Sequence, residues 1–210
     1  MIAFHGDPAV KEKYLARVRA HAEHDEIEKG YYWENGKGCA VGCTIEGNDH
    51  TRYETEMGIP VQIAYLEDRL FEGMPNGRAK EFPVRFLSAI TPGADLSLVL
   101  PKFYVAILTD KTHGVKQYTT GFPACEKAVQ AVADLYAKRV AGEDVSEAAE
   151  NAAEVAAVAA GAAAWAAARA AAWTAAVAAE AAAGAAAWAA RDAYYTWMAD
   201  TLIEILEGTA

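Results

Sequence analysis

EAAENAAEVAAVAAGAAAWAAARAAAWTAAVAAEAAAGAAAWAARDAYYTWMADTLIEI, residues 147–205, sets larger side chains at regular intervals on a background of alanine. One stripe of non-alanine residues runs through it: Glu147, Glu150, Glu154, Val158, Gly161, Trp165, Arg169, Trp173, Val177, Glu180, Gly184, Trp188, Arg191, Tyr195, Met198, Leu202 and Ile205. The stripe advances 58 positions in 16 steps, about 3.6 residues per step, which is the pitch of a straight α-helix. Between 147 and 191, 29 of 45 residues are Ala, the best helix former. The spacing predicts a helical C-terminal third with one bulky, charged face and one broad, smooth face.

At 1.5 Å per residue such a helix spans about 87 Å, far beyond a domain whose radius of gyration is near 14 Å. The unbroken phase across Gly161 and Gly184 favours a projecting tail, because a loop usually resets it. Compactness favours two or three antiparallel pieces broken at those glycines and packed through their alanine faces. The broken form is the expectation, and a homodimer through the tail follows from the same smooth face.

Ahead of the tail, Asp7-Pro8 places a helix N-cap before a proline at the first helical position. Val10, Tyr14 and Val18 recur at helical spacing, and Gly30 reads as the end of that helix. Asn35-Gly36 lies between Tyr31-Tyr32-Trp33 and Cys39-Ala40-Val41, which predicts a small hairpin or irregular insert near 31–46. Further helices are expected over Asp49–Met57, Pro60–Phe71, Pro83–Ile90, Ala94–Leu108 and Pro123–Val140, with a turn at Pro75-Asn76-Gly77. The expected fold is all-α and about two-thirds helical. It divides into a helical domain, 1–142, carrying the Gly/Cys-rich loop, and the Ala-rich tail, 143–210.

Charge is uneven. Residues 1–140 carry 17 Lys/Arg against 19 Asp/Glu, whereas 141–210 carry 2 against 10. An acidic tail with no basic patch argues against nucleic acid as a partner. The longest uncharged alanine-rich run, Val155 to Ala168, falls short of the about 20 apolar residues a membrane span needs. Three cysteines, Cys39, Cys43 and Cys125, suit a reduced, cytoplasmic chain rather than a disulfide framework.

Cys39 and Cys43 lie among glycines with His50 near in sequence. Three readings stay open: a loop thiol activated by an imidazole, a metal site of Cys39, Cys43 and His50 lacking a fourth ligand, or small buried packing residues. The third is the expectation, and no metal or cofactor is implied. Gly36-Lys37-Gly38 does not meet the spacing of a phosphate-binding loop. His21, His24 and Glu28 could share one helix face, but the charge-dense run around them reads as a solvated end. Glu54, Glu56, Glu67, Asp68 and Glu72, interleaved with Arg52 and Arg69, read as ordinary ion-pairing carboxylates. In the tail, Arg169 can lie between Trp165 and Trp173, and Arg191 against Trp188. These residues are expected to form core, with a partner-binding face as the alternative.

The segments GKGCAVGCT (36–44), YETEMGIP (53–60) and LEDRLFEGMPN (66–76), with the close MADTLIEIL (198–206), resemble an uncharacterised family of bacterial and phage-borne hypothetical proteins with an Ala/Trp/Arg-rich tail. That resemblance implies no activity. The reading from sequence is a non-enzymatic interaction factor, phage- or defence-related, acting on a protein partner through Trp165, Arg169, Trp173, Trp188 and Arg191. The alternative is a cysteine-dependent enzyme centred on Cys39, with His50 or His113 as base.

Overall fold

The computed structural model describes residues 1–146 and 180–209. Among them are eight α-helices and one two-stranded antiparallel hairpin, a mainly all-α fold. The helices are α1 (Pro8–Glu23), α2 (Ala40–Ile45), α3 (Arg52–Met57), α4 (Val61–Gly73), α5 (Asn76–Ala89), α6 (Val99–Thr109), α7 (Pro123–Val140) and α8 (Glu180–Glu207). The chain divides into two compact units. The first comprises Met1–Val99 with Arg191–Ala210, and the second Leu100–Ala190.

In the first unit α1 starts as its sequence requires. Asp7 Oδ1 accepts from Ala9 N at 2.8 Å, and Pro8 occupies the first turn, where a missing N–H costs nothing. It ends at Glu23, short of Gly30, because Asp25 turns left-handed (φ 56°) and the chain pairs with the hairpin. Gly38 N donates to Glu26 O at 3.1 Å and Glu28 N to Gly38 O at 2.8 Å, and Ile27 is buried between those bonds. Glu28 therefore leaves the helix face expected to hold His21 and His24 and pairs with Lys37 Nζ at 2.8 Å.

The hairpin pairs Trp33 with Gly38 and Glu34 with Lys37. Asn35 and Gly36 both take positive φ (52° and 84°), as a two-residue turn of matching twist demands. Its second arm stops at Gly38. Cys39-Ala40-Val41, expected to continue it, instead opens α2, whose six residues are all buried. Helix α2 packs against α1, α4 and α5, so only small or compact side chains fit along it.

Around it lie Tyr14, Leu15 and Val18 of α1, Ile63, Leu70 and Phe71 of α4, and Phe82, Phe86 and Leu87 of α5. The start of the chain is tied beside them: Ala3 N donates to Ala94 O and Gly93 N to Ala3 O, both at 2.9 Å. Pro75-Asn76-Gly77 is the beginning of α5 rather than a free turn, and Pro83 lies inside that helix. Helix α6 starts at Val99 rather than Ala94, since Asp95 accepts from Ser97 N at 3.0 Å and bridges to Ile2.

Residues 191–207 of α8 complete this unit. Ala199, Leu202, Ile203 and Leu206 are buried, and Arg85 donates to Asp200 Oδ1 at 2.8 Å. A methyl at Gly73 would overlap the ring of Tyr195. Gly73→Ala is therefore expected to cost about 1–3 kcal/mol despite alanine's better helix propensity. Faster amide exchange across 191–207 would register the loosened helix, and unchanged exchange would contradict the close packing.

In the second unit, Tyr104 of α6 and Tyr136 of α7 pack at 4.7 Å between centroids. Lys116, in a 3-10 turn at Val115–Thr119, donates to Gln130 Oε1 of α7 at 2.6 Å. Helix α8 runs unbroken through Gly184, so that glycine is not the break expected of it. A single glycine inside a helix costs only about 1 kcal/mol, which the surrounding alanines offset. Gly161, with the stripe from 147 to 179, lies outside the described residues.

Candidate functional site

Helix α4 carries Tyr65, Asp68 and Glu72 at spacings of three and four, which puts them on one face. Glu67 falls on the next face, in the inward stripe of Ile63, Ala64, Leu70 and Phe71, and is fully buried. Hairpin and α2 bring Tyr32 and Cys39 against the Asp68 side, because Gly38 and Gly42 have no Cβ to keep the Tyr32 backbone away. Cys39 N donates to Tyr32 O at 3.1 Å. His50, just before α3, closes the cluster.

The His50 ring stacks on Tyr65 (centroids 4.6 Å, planes 17° apart) and meets the Tyr32 ring edge-on at 5.0 Å. It is 5% exposed, and its Nε2 lies 3.9 Å from Asp68 Oδ2, too far for a hydrogen bond. The Cys39 side chain caps α2, with Gly42 N donating to Sγ at 3.4 Å. Burial first, then the neighbouring Asp68 carboxylate, pushes the Cys39 thiol well above its ordinary range. Asp68 is thus the shared neighbour of thiol and imidazole.

Beneath it, Tyr53 Oη donates to Glu67 Oε2 at 2.8 Å, and both residues are fully buried. Burial first, opposed by the hydrogen bond from Tyr53 and reinforced by the charge on Asp68, raises the Glu67 carboxyl well above the carboxylate range. Among the described residues, three buried side-chain polar atoms have no hydrogen-bond partner: His50 Nε2, Glu67 Oε1 and Asp68 Oδ1. Native interiors pair nearly all such atoms. All three belong to this one cluster.

The cluster borders a cavity of 270 Å³ lined by Gly30, Tyr31, Tyr32, Asp68 and Glu72. Gly30 N donates to Glu72 Oε1 at 3.1 Å, which fixes that carboxylate at the rim. The Tyr32 hydroxyl is raised above its ordinary range, chiefly by the charge of Asp68.

The residues singled out in the sequence separate. Cys39 and His50 come to a common neighbour, whereas Cys43 turns away, its Sγ donating to Gly38 O at 3.3 Å and approaching Glu26 O at 3.5 Å. Burial pushes the Cys43 thiol up to about 12, so it packs as a small buried residue. Among the described residues no three His, Cys, Asp or Glu side chains have metal-holding geometry. His113 belongs to the second unit, with its Nδ1 3.6 Å from Asp110 Oδ1.

Arg52 pairs with Glu56 at 2.5 Å, an ordinary helix ion pair. Glu67 and Asp68 are not of that kind. A carboxyl on the apolar stripe of α4 was the signal in the sequence, and its register with Ile63 and Leu70 hides Glu67 in the core. In the tail, Trp188 is 62% exposed and the Arg191 guanidinium lies 5.5 Å over the Tyr195 ring. Trp165, Arg169 and Trp173 lie outside the described residues. No described helix is long and apolar enough to cross a membrane.

Fold and site together define an all-α protein with a buried thiol, imidazole and carboxyl beside Asp68, whose half-buried carboxylate lines a small aromatic-walled cavity. Comparison with known proteins returns no matching family model, curated protein or solved structure.

Proposed function

We propose that the protein is a cysteine-dependent enzyme, with Cys39 as nucleophile and the Asp68–His50 pair as its base. The observation that carries this reading is that three unpartnered buried atoms, His50 Nε2, Asp68 Oδ1 and Glu67 Oε1, belong to one cluster whose Asp68 neighbours the Cys39 thiol. Unsatisfied buried polar groups cost about 1–3 kcal/mol each, and folds retain them where a ligand or a reaction uses them.

In the reaction, Sγ bonds to an electrophilic carbon of the substrate and the thiol proton passes to the Asp68–His50 pair. The leaving group departs with its electron pair. Gly42 N, which already points at Sγ, stabilises the sulfur as it gains charge. Burial and then Asp68 raise the Cys39 thiol well above its ordinary range, so the proton must be taken by a base for Sγ to attack.

A generic ester tests this. With p-nitrophenyl acetate, an acetyl–sulfur bond forms as p-nitrophenolate leaves. Peptide mapping is expected to place the acetyl group on Cys39, and not on Cys43 or Cys125. Cys39→Ala abolishes the adduct, and His50→Ala slows it by about 100-fold or more. A folded protein that never acylates Cys39 would refute the proposal.

A second reading, a tail that binds a protein partner or a second copy of the chain, rests on Trp188, a large aromatic residue left exposed. Light scattering that finds a monomer at high micromolar concentration would remove the second-copy form of it.

A further inference from the structure

We infer that the cavity beside Asp68 receives a small organic cation, so that the substrate of the Cys39 site carries a protonated amine. The inference rests on the catalytic reading above and adds the substrate class to it. Two of the five lining residues are carboxylates, two are tyrosines, and none is Lys or Arg. The nearest lysine in sequence, Lys29, neighbours Glu72 but donates to the Met74 carbonyl and does not line the cavity.

The carboxylates differ in what they still need. Glu72 has Gly30 N on one oxygen, whereas Asp68 Oδ1 is buried and has no protein donor. His50, 95% buried by its 5% exposure, holds its own unpartnered Nε2 towards Asp68 at 3.9 Å rather than donating to it. An ammonium in the cavity would place one N–H on the cavity-lining edge of the Asp68 carboxylate and one on the second oxygen of Glu72, with a positive charge between the two. The rings of Tyr31 and Tyr32 offer π-faces suited to an organic cation. The cavity, at 270 Å³, holds a group of several heavy atoms.

Occupancy and reactivity are then coupled. Asp68 opposes the Cys39 thiolate, and a cation bound on Asp68 removes that opposition. By linkage, whatever the cation does for the thiolate, the thiolate does for the cation. The amine end of the substrate would switch on the thiol that attacks its other end.

The test has two independent arms, both on the full chain. In the first, titration calorimetry compares n-butylammonium with neutral n-butanol and anionic butyrate. Only n-butylammonium is expected to bind. Asp68→Asn and Glu72→Gln each weaken it at least about tenfold, the loss expected for a charge-assisted hydrogen bond. Glu54→Gln, a carboxylate on α3 outside the cavity, leaves it unchanged. Equal binding of n-butanol, binding of butyrate, or no binding at all overturns the inference. In the second arm, acetylation of Cys39 by p-nitrophenyl acetate is timed with and without saturating n-butylammonium, and an increase of at least about tenfold is expected. Charge-selective binding with an inert Cys39 would sink the catalytic reading and leave the cation site standing. A reactive Cys39 with no preference for the cation would do the reverse.

Discussion

Gly42→Ala is expected to destabilise the protein by about 3 kcal/mol or more, the upper end for forcing extra volume into a packed interior. The added methyl would overlap the carbonyl oxygen and carbon of Tyr32, which are backbone atoms with no rotamer to escape into. Neither partner can retreat. Helix α2 is held by α1, α4 and α5, and Tyr32 O accepts from Cys39 N at 3.1 Å. The comparison is Gly77→Ala near the start of α5, where a methyl meets nothing within 4 Å. That change should be neutral or stabilising by up to about 1 kcal/mol. Urea midpoints for the two variants decide the matter, and equal midpoints would mean that the hairpin does not lie against α2 as described. Any folded Gly42→Ala protein should also show weaker n-butylammonium binding, because Tyr32 walls the cavity.

Glu67→Gln should change how stability depends on pH more than it changes stability itself. Glu67 is raised well above its ordinary 4.5 in the folded protein, by burial first and by Asp68 second. Below about 4.5 both folded and unfolded chains hold the proton, and its contribution is fully present. As pH rises past that value the unfolded chain releases its proton while the folded chain keeps it. Stability then falls, by up to about 1.4 kcal/mol per pH unit from this one group, until the folded carboxyl itself ionises. The Gln variant keeps the shape and the oxygen that accepts from Tyr53 Oη, but has no proton to lose. Subtracting its stability from that of the unsubstituted protein as pH rises from about 4.5 should leave this slope. A flat difference would mean that Glu67 ionises in the fold as it does in the unfolded chain. Other carboxyls act in the opposite sense. Glu56, lowered chiefly by Arg52, and Asp110, lowered by the N–H groups of His113 and Thr112, lose their stabilising effect as pH falls through acid values. They are common to both proteins and cancel in the subtraction.

Much of the fold is legible in the residues. Asp7-Pro8, Asn35-Gly36, Gly58 and Pro123 mark boundaries through local chemistry alone, and each does so here. Where the reading departs from the structure, a distant partner is responsible. Helix α1 stops at Glu23 because Gly38 offers Glu26 and Glu28 backbone bonds. Cys39-Ala40-Val41 is helical because α1, α4 and α5 enclose it, although its composition suits a strand equally well. The site was half visible. Cys39 and His50 stand eleven positions apart and invite pairing, but Asp68 and Glu67 look like any acidic helix residues until the face each occupies is known. One step along α4 separates a carboxyl buried on Tyr53 from one that borders a cavity.

The closing half of α8 has a consequence for synthesis. Leu202, Ile203 and Leu206 fill the core of a unit whose other members all lie within the first 99 residues. At translation rates of about 5–20 residues per second, the intervening ninety-odd residues take roughly 5–20 s to make. For that interval the nascent chain carries a core still missing its last helix. Such a chain can complete this core only after its tail is delivered, not as its first residues emerge.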